Sequence, residues 1–141
     1  MEFEPHKISP AEWDGTLLGD VKAGFPSPAD ECREEFDIKS LIVKHPAATF
    51  YFNVDGCSMV DAGMDDGDIL VVDKSIEPYD GCKAVCYVDG SYTVKQVKMT
   101  ERGVTLLPMS SACSKFRPIE VSPDDRFTVW GVVTYAIKKI R

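Results

Sequence analysis

Ser58 lies in the stretch YFNVDGCSMVDAGMDDGDILVVD, residues 51–73, between two short apolar runs. A serine hydroxyl becomes a useful nucleophile only when a neighbouring base takes its proton. His6, near the start of the chain, and His45, just before Pro46, are two candidate bases. Either would complete a Ser-His-Asp arrangement if the fold carried it to Ser58. A lysine is a third route. Its ordinary pKa is far too high, but burial among apolar groups lowers it, because desolvation penalises the charged form. The stretch YTVKQVKM, residues 92–99, offers such a lysine. In a strand, Tyr92, Val94, Gln96 and Lys98 share one face, and Thr93, Lys95, Val97 and Met99 share the other. Lys95 is therefore flanked by Thr93 and Val97, whereas Lys98 ends its face and reaches solvent. Cys57 is an alternative nucleophile with His45 as its partner. If a strand ran through 57 and 58, the two would point oppositely and would not share a site. Spacing alone leaves blander readings open. Serines between a strand and an acidic turn commonly cap turns, lysines on apolar faces snorkel to water, and Cys57 fits a small half-buried position.

Other chemistries lack their motifs. There is no GxGxxG behind a strand, no P-loop, no HExxH and no G-x-S-x-G elbow, since the serine stands in Gly56-Cys57-Ser58-Met59. The five cysteines, at 32, 57, 82, 86 and 113, are unevenly spaced and odd in number, which argues against a disulfide framework. Cys82 and Cys86 have no second close pair to complete a zinc site. With Ala84 they read as small core residues on one strand face. No metal and no cofactor is expected. The net charge is -7, from 16 basic and 23 acidic residues, without a basic cluster. Direct sequence-specific DNA binding is therefore not expected, because it needs cations to neutralise phosphates. The longest nearly apolar run, FTVWGVVTYAI at 127–137, is too short for a membrane helix. MEFEPHKISP has no signal core, so the cytoplasm is the expected compartment.

The elements that must position these residues are mostly strands. Residues 1–36 hold four prolines with glycines between them and read as an extended N-terminal arm. Within it LLGDVKAG, 17–24, can pair as a strand and FPSP, 25–28, must be irregular. Asp37–Lys44 predicts one or two helical turns capped by Asp37. From residue 37 to 141 one β-rich domain is expected. Its strands are TFYFNV, DILVVD, KAVCYV, SYTVKQVKM, GVTLLP and FTVWGVVTYAI, with an Asp89-Gly90 hairpin turn and a bulge or bend at Gly131. Short connections imply a twisted, partly closed antiparallel sheet system.

Five further pieces carry a family resemblance: AGFPSPADE at 23–31, GCSMVDAGMDDGDILVVD at 56–73, DGSYTVKQVK at 89–98, LLPMS at 106–110, and the ending VWGVVTYAIKKIR. In order and spacing, over nearly the whole chain, they resemble the UmuD-type accessory subunits of error-prone translesion polymerases. These are a group within the LexA-type self-cleaving serine peptidases. The resemblance implies a LexA C-terminal-like fold, a homodimer, Ser58 as nucleophile, Lys95 as general base and Ala23–Gly24 as the bond cut. For attack by Ser58 on that bond, the expected mechanism adds oxyanion support from backbone N–H groups near Met59 and a side pocket filled by Val21. The resemblance further implies cleavage stimulated by the RecA filament on single-stranded DNA, after which the shortened dimer joins a UmuC-type Y-family polymerase subunit. Cys57 departs from the acidic residue expected there in the nearest relatives. Two other functions stay open: a polymerase-binding regulatory module with a dormant Ser-Lys pair, and a peptidase that cuts another protein in trans.

Overall fold

The computed structural model describes residues 6–7, 15–17, 21, 23–24, 34–111, 117–121 and 127–141. They fall into two compact units, residues 9–44 and residues 1–8 with 45–141. In chain order the elements are β1 (His6–Lys7), β2 (Gly15–Leu17), β3 (Glu34–Phe36), α1 (Ile38–Ile42), β4 (Thr49–Asn53), β5 (Ile69–Asp73), β6 (Lys83–Val88), β7 (Ser91–Thr100), β8 (Gly103–Leu107), β9 (Ile119–Val121) and β10 (Phe127–Ile137). Short 3-10 turns cover Pro46–Ala48 and Val60–Ala62. No helix among the described residues is long and apolar enough to cross a membrane.

The smaller unit holds β2 paired antiparallel with β3, and α1. Of the stretch 17–24 expected to pair as a strand, Leu17 is strand, and the rest of the described pairing runs back to Gly15. Val21 is outside any strand, and Ala23 and Gly24 form a bend. The FPSP segment, Cys32, Cys113 and the His6 side chain lie outside the described residues. The helix follows its expected cap. Asp37 accepts hydrogen bonds from the N–H groups of Lys39 (3.1 Å) and Ser40 (3.3 Å), two donors that α1 itself leaves unpaired. The hydrogen bond from the Ser40 hydroxyl opposes a smaller desolvation effect and holds the Asp37 carboxyl below its usual range. Asp37→Ala is expected to speed amide exchange severalfold at Leu41 and Val43, which donate to the carbonyls of Asp37 and Lys39. Unchanged exchange would show that the cap does not hold this turn.

The larger unit is a mostly β, wholly antiparallel assembly, as the sequence predicts. Among the described residues eight strands lie in the order β1-β4-β5-β10-β6-β7-β8-β9. The apolar last strand is central: β10 pairs with β5 on one side and β6 on the other. Its register shifts between Val129 and Gly131 against β6, placing the expected irregularity at Gly131. Asp89 and Gly90 have φ values of 46° and 88°, the left-handed pair that a two-residue hairpin turn requires. This turn fixes the β6–β7 register, in which Val85 faces Val94 and Ala84 faces Lys95.

Because residues alternate across the sheet, two apolar clusters form. One gathers Phe52, Val54, Met59, Leu70, Val72, Val85 and Val94, with Trp130 and Tyr92 packed against it. Trp130 stands edge-on to Phe50 and Phe52, with ring centroids 5.1 Å apart in each pair. The other gathers Cys82, Ala84, Cys86, Val97, Leu106 and Val132. Cys82, Ala84 and Cys86 are therefore core residues. Burial pushes the Cys86 thiol up to about 12, and neighbouring Cys82 adds to the effect.

Candidate active site

β7 is buried on both faces in its middle. Val94 and Val97 have no exposed surface, and Lys95 between them is 6% exposed. Lys95 leaves the strand on the side of Ala84, its cross-strand partner, and of Cys86, opposite Thr93. Two small residues there leave room for its four-carbon stem.

Ser58 comes from the other side of the site, on the tight path between β4 and β5. After Val54 the chain turns at Gly56, whose φ is 107° and whose N–H donates to Asp66 Oδ1 at 2.8 Å. The 3-10 turn Val60–Ala62 follows and closes at Gly63, φ 82°, with Ala62 and Met64 both donating to the Met59 carbonyl. The segment after β8 clamps this turn. The Met109 N–H donates to the Ser58 carbonyl at 2.7 Å, and the Asp61 N–H donates to the Met109 carbonyl at 2.6 Å. The Ser111 N–H reaches Asp61 Oδ2 at 2.5 Å. Farther along, Asp68 is buried and bonded by the Asp65 N–H and by Lys138. Burial works to raise the Asp68 carboxyl, but these bonds outweigh it and hold it low.

The two elements bring Lys95 Nζ to 2.8 Å from Ser58 Oγ, where it donates a hydrogen bond. A second bond runs from Nζ to the Val94 carbonyl at 3.2 Å. Ser58 has no exposed surface and Met59 is 1% exposed. Desolvation pulls the Lys95 pKa down from its ordinary value, and a smaller electrostatic effect of Cys86, were its thiol ionised, would work the other way. With its pKa near 12, Cys86 remains a neutral thiol, so burial prevails. Among the described residues no acceptor meets the backbone N–H of Ser58 or Met59. Unpaired buried N–H groups are rare in folded proteins.

The other candidates go elsewhere. The His45 ring meets Asp73, with Nδ1 2.6 Å from Oδ2, and no hydrogen bond joins it to Ser58. Burial tends to raise the Asp73 carboxyl, but bonds from His45 and Ser75 outweigh this and lower it. Cys57 is half-buried in the turn, not on a strand, so the alternation that separates it from Ser58 in an extended chain does not apply. Val21 is 94% exposed, and Ala23 and Gly24 are exposed. The Met109–Ser111 clamp has no local signal in the sequence. Nothing in LLPMS marks it, because main-chain groups make most of its bonds.

A buried serine with a lysine amine on its hydroxyl, set in an antiparallel sheet, is the arrangement of a serine peptidase that works without histidine. Residues 16–134 match the Peptidase S24-like family. The chain is 39% identical to Protein SamA of Salmonella typhimurium over 120 residues, 84% of this chain and 81% of that protein. It is 36% identical to Protein MucA of Escherichia coli over 119 residues, 83% and 79% of the two chains. It is also 34% identical to the LexA repressor of Stenotrophomonas maltophilia over 116 residues, 82% of this chain and 54% of that one. The chain belongs to the Peptidase S24-like family. It is a self-cleaving serine peptidase of the DNA-damage response, of the UmuD type.

Proposed function

We propose that the protein is the accessory subunit of an error-prone translesion DNA polymerase, switched on when Ser58 and Lys95 cut its own Ala23–Gly24 bond. The observation that carries the dyad is the 2.8 Å contact between a buried lysine amine and a buried serine hydroxyl. Neutral Lys95 takes the Ser58 proton as Oγ bonds to the Ala23 carbonyl carbon. The N–H groups of Ser58 and Met59, which no described residue occupies, receive the resulting oxyanion. The carbon–nitrogen bond breaks, and protonated Lys95 returns the proton to the Gly24 amine. Water, losing its proton to Lys95, then releases residues 1–23 from the acyl-enzyme. A Cβ added at Gly24 would meet nothing within 4 Å. The value of a small residue there lies in close backbone approach to the site during cleavage.

Full burial of Ser58 also accounts for slow, stimulated cleavage, since a peptide reaches it only after the site opens. The stimulus in this reading is a RecA filament on single-stranded DNA. The partners of the cut form are a second copy of the chain and a UmuC-type polymerase subunit. The relatives named SamA and MucA support this reading by their similarity over most of both chains. The acting domain is residues 37–141 and the cut arm residues 1–36.

Intact mass after mixing the protein with an ATP-analogue-loaded RecA filament tests the proposal. The expected product begins at Gly24, from the parent and not from Ser58→Ala. An uncut parent, even at alkaline pH, would move the function to a polymerase-binding module without catalysis. The pH dependence gives a second check. Because the Lys95 pKa is lowered, the neutral base accumulates as pH rises through that value. Without activator the rate should climb about tenfold per pH unit below it and level off before the ordinary lysine value of about 10.4. A rate that does not fall as pH is lowered, over the whole range in which the protein stays folded, would remove Lys95 as the base.

A further inference from the structure

The segment that clamps the Ser58 turn carries one group with no structural use. Ser110 Oγ is closed to solvent and has no hydrogen-bond partner among the described residues. Its neighbours are both engaged. Met109 commits its N–H and its carbonyl to the Ser58–Asp61 turn, and the Ser111 N–H is held by Asp61. The Ser110 N–H and carbonyl pair with no described group. An unpaired buried hydroxyl costs free energy, and an alanine would occupy nearly the same volume without that cost.

We propose that Ser110 is a substrate-binding residue that holds the main chain of the peptide being cut. Its hydroxyl and N–H donate to carbonyls of the extended segment around the scissile bond, and its carbonyl accepts from an N–H of that segment. The inference rests on Ser58 being the nucleophile. Ser58, like Ser110 Oγ, has no accessible surface. A peptide that reaches Ser58 must therefore open the site, and the clamp places Ser110 one residue from the main chain bonded to Ser58. The partner it lacks is of the kind an extended polypeptide supplies: alternating carbonyls and N–H groups, without a requirement for side-chain charge.

The test measures self-cleavage of the full chain across alkaline pH by intact mass, with melting temperature alongside, for the parent, Ser110→Ala, Ser110→Cys and a Ser58→Ala control. The expected Ser110→Ala variant melts no lower than the parent. It reaches a plateau rate about tenfold slower, the loss of one hydrogen bond in the transition state, with the pH midpoint unmoved. Ser110→Cys keeps the shape with a weak donor and should be slowed within about threefold of the alanine variant. A parent-like rate in either variant overturns the proposal. So does a slower rate that comes with a lower melting temperature or a shifted midpoint, which would make Ser110 a structural residue acting through Lys95. A parent that never yields the Gly24 product fails at the earlier step and removes the Ser58 reading, and this one with it.

Discussion

Lys95→Ala is expected to slow cleavage at Ala23–Gly24 by about three orders of magnitude, within the range that general-base catalysis supplies, while the sheet stays folded. Ser58→Ala should be at least as severe, because it removes the hydroxyl that the amine contacts at 2.8 Å. The same burial that suits Lys95 to the proposed role of base makes it a poor structural residue. Its native pKa is lowered, so between that value and the unfolded lysine value the native state holds fewer protons than the unfolded chain. Stability contributed at this position is therefore lowest below the native value and rises with pH through that window. Lys95→Met retains the apolar stem and sheds the ammonium, so it should melt at or above the parent at neutral pH and yet fail to cleave. Rates within tenfold of the parent for Lys95→Met would remove the lysine from the chemistry. A collapse of the fold in both variants would instead make Lys95 a structural cation.

Gly131→Ala is expected to destabilise the protein by about 2 kcal/mol, within the usual cost of overpacking a core. A Cβ at residue 131 would lie 2.6 Å from Val72 Cγ1 and 3.4 Å from Lys74 Cγ. Val72 has no exposed surface and sits in the central pair of β5 with β10, so its side chain cannot swing into water. Either the side chain leaves its rotamer or β10 moves off β5. The second response is the more damaging, because β10 is the strand through which β4–β5 and β6–β9 share one sheet. Val72 also packs in the cluster that holds Met59 and Val94, the residues beside Ser58 and Lys95. Urea unfolding would show a lower midpoint with an unchanged slope. An unchanged midpoint would mean that the bulge absorbs the methyl group without cost.

Much of the fold was legible in the chain itself, and for local reasons. Alternation of β-branched and aromatic residues marks β4, β5, β6, β7, β8 and β10. The Asp89-Gly90 turn specifies one hairpin and its register, and Asp37 starts α1. Elements that lack local signals escaped. The two residues of β1 and the three of β9 are strands only because a partner edge is there to bond them. The short β2 pairs with β3 at 15–17 through main-chain bonding rather than apolar pattern.

The Ser58–Lys95 pair divides in the same way. Residue types and strand alternation made Lys95 a lysine on an apolar face and Ser58 a serine in a turn, and the family resemblance joined them. Alternation within β7 cannot say whether a lysine's amine turns to water or to a serine 37 positions away. That was decided by the sheet, which covers both faces of β7, and by small Ala84 and Cys86 across from the lysine stem. The Met109 clamp holds the Ser58 turn against them. That no described residue pairs with the N–H groups of Ser58 and Met59 or with the Ser110 hydroxyl is wholly a matter of tertiary structure. Whether a polar group has a partner depends on what the rest of the chain brings beside it.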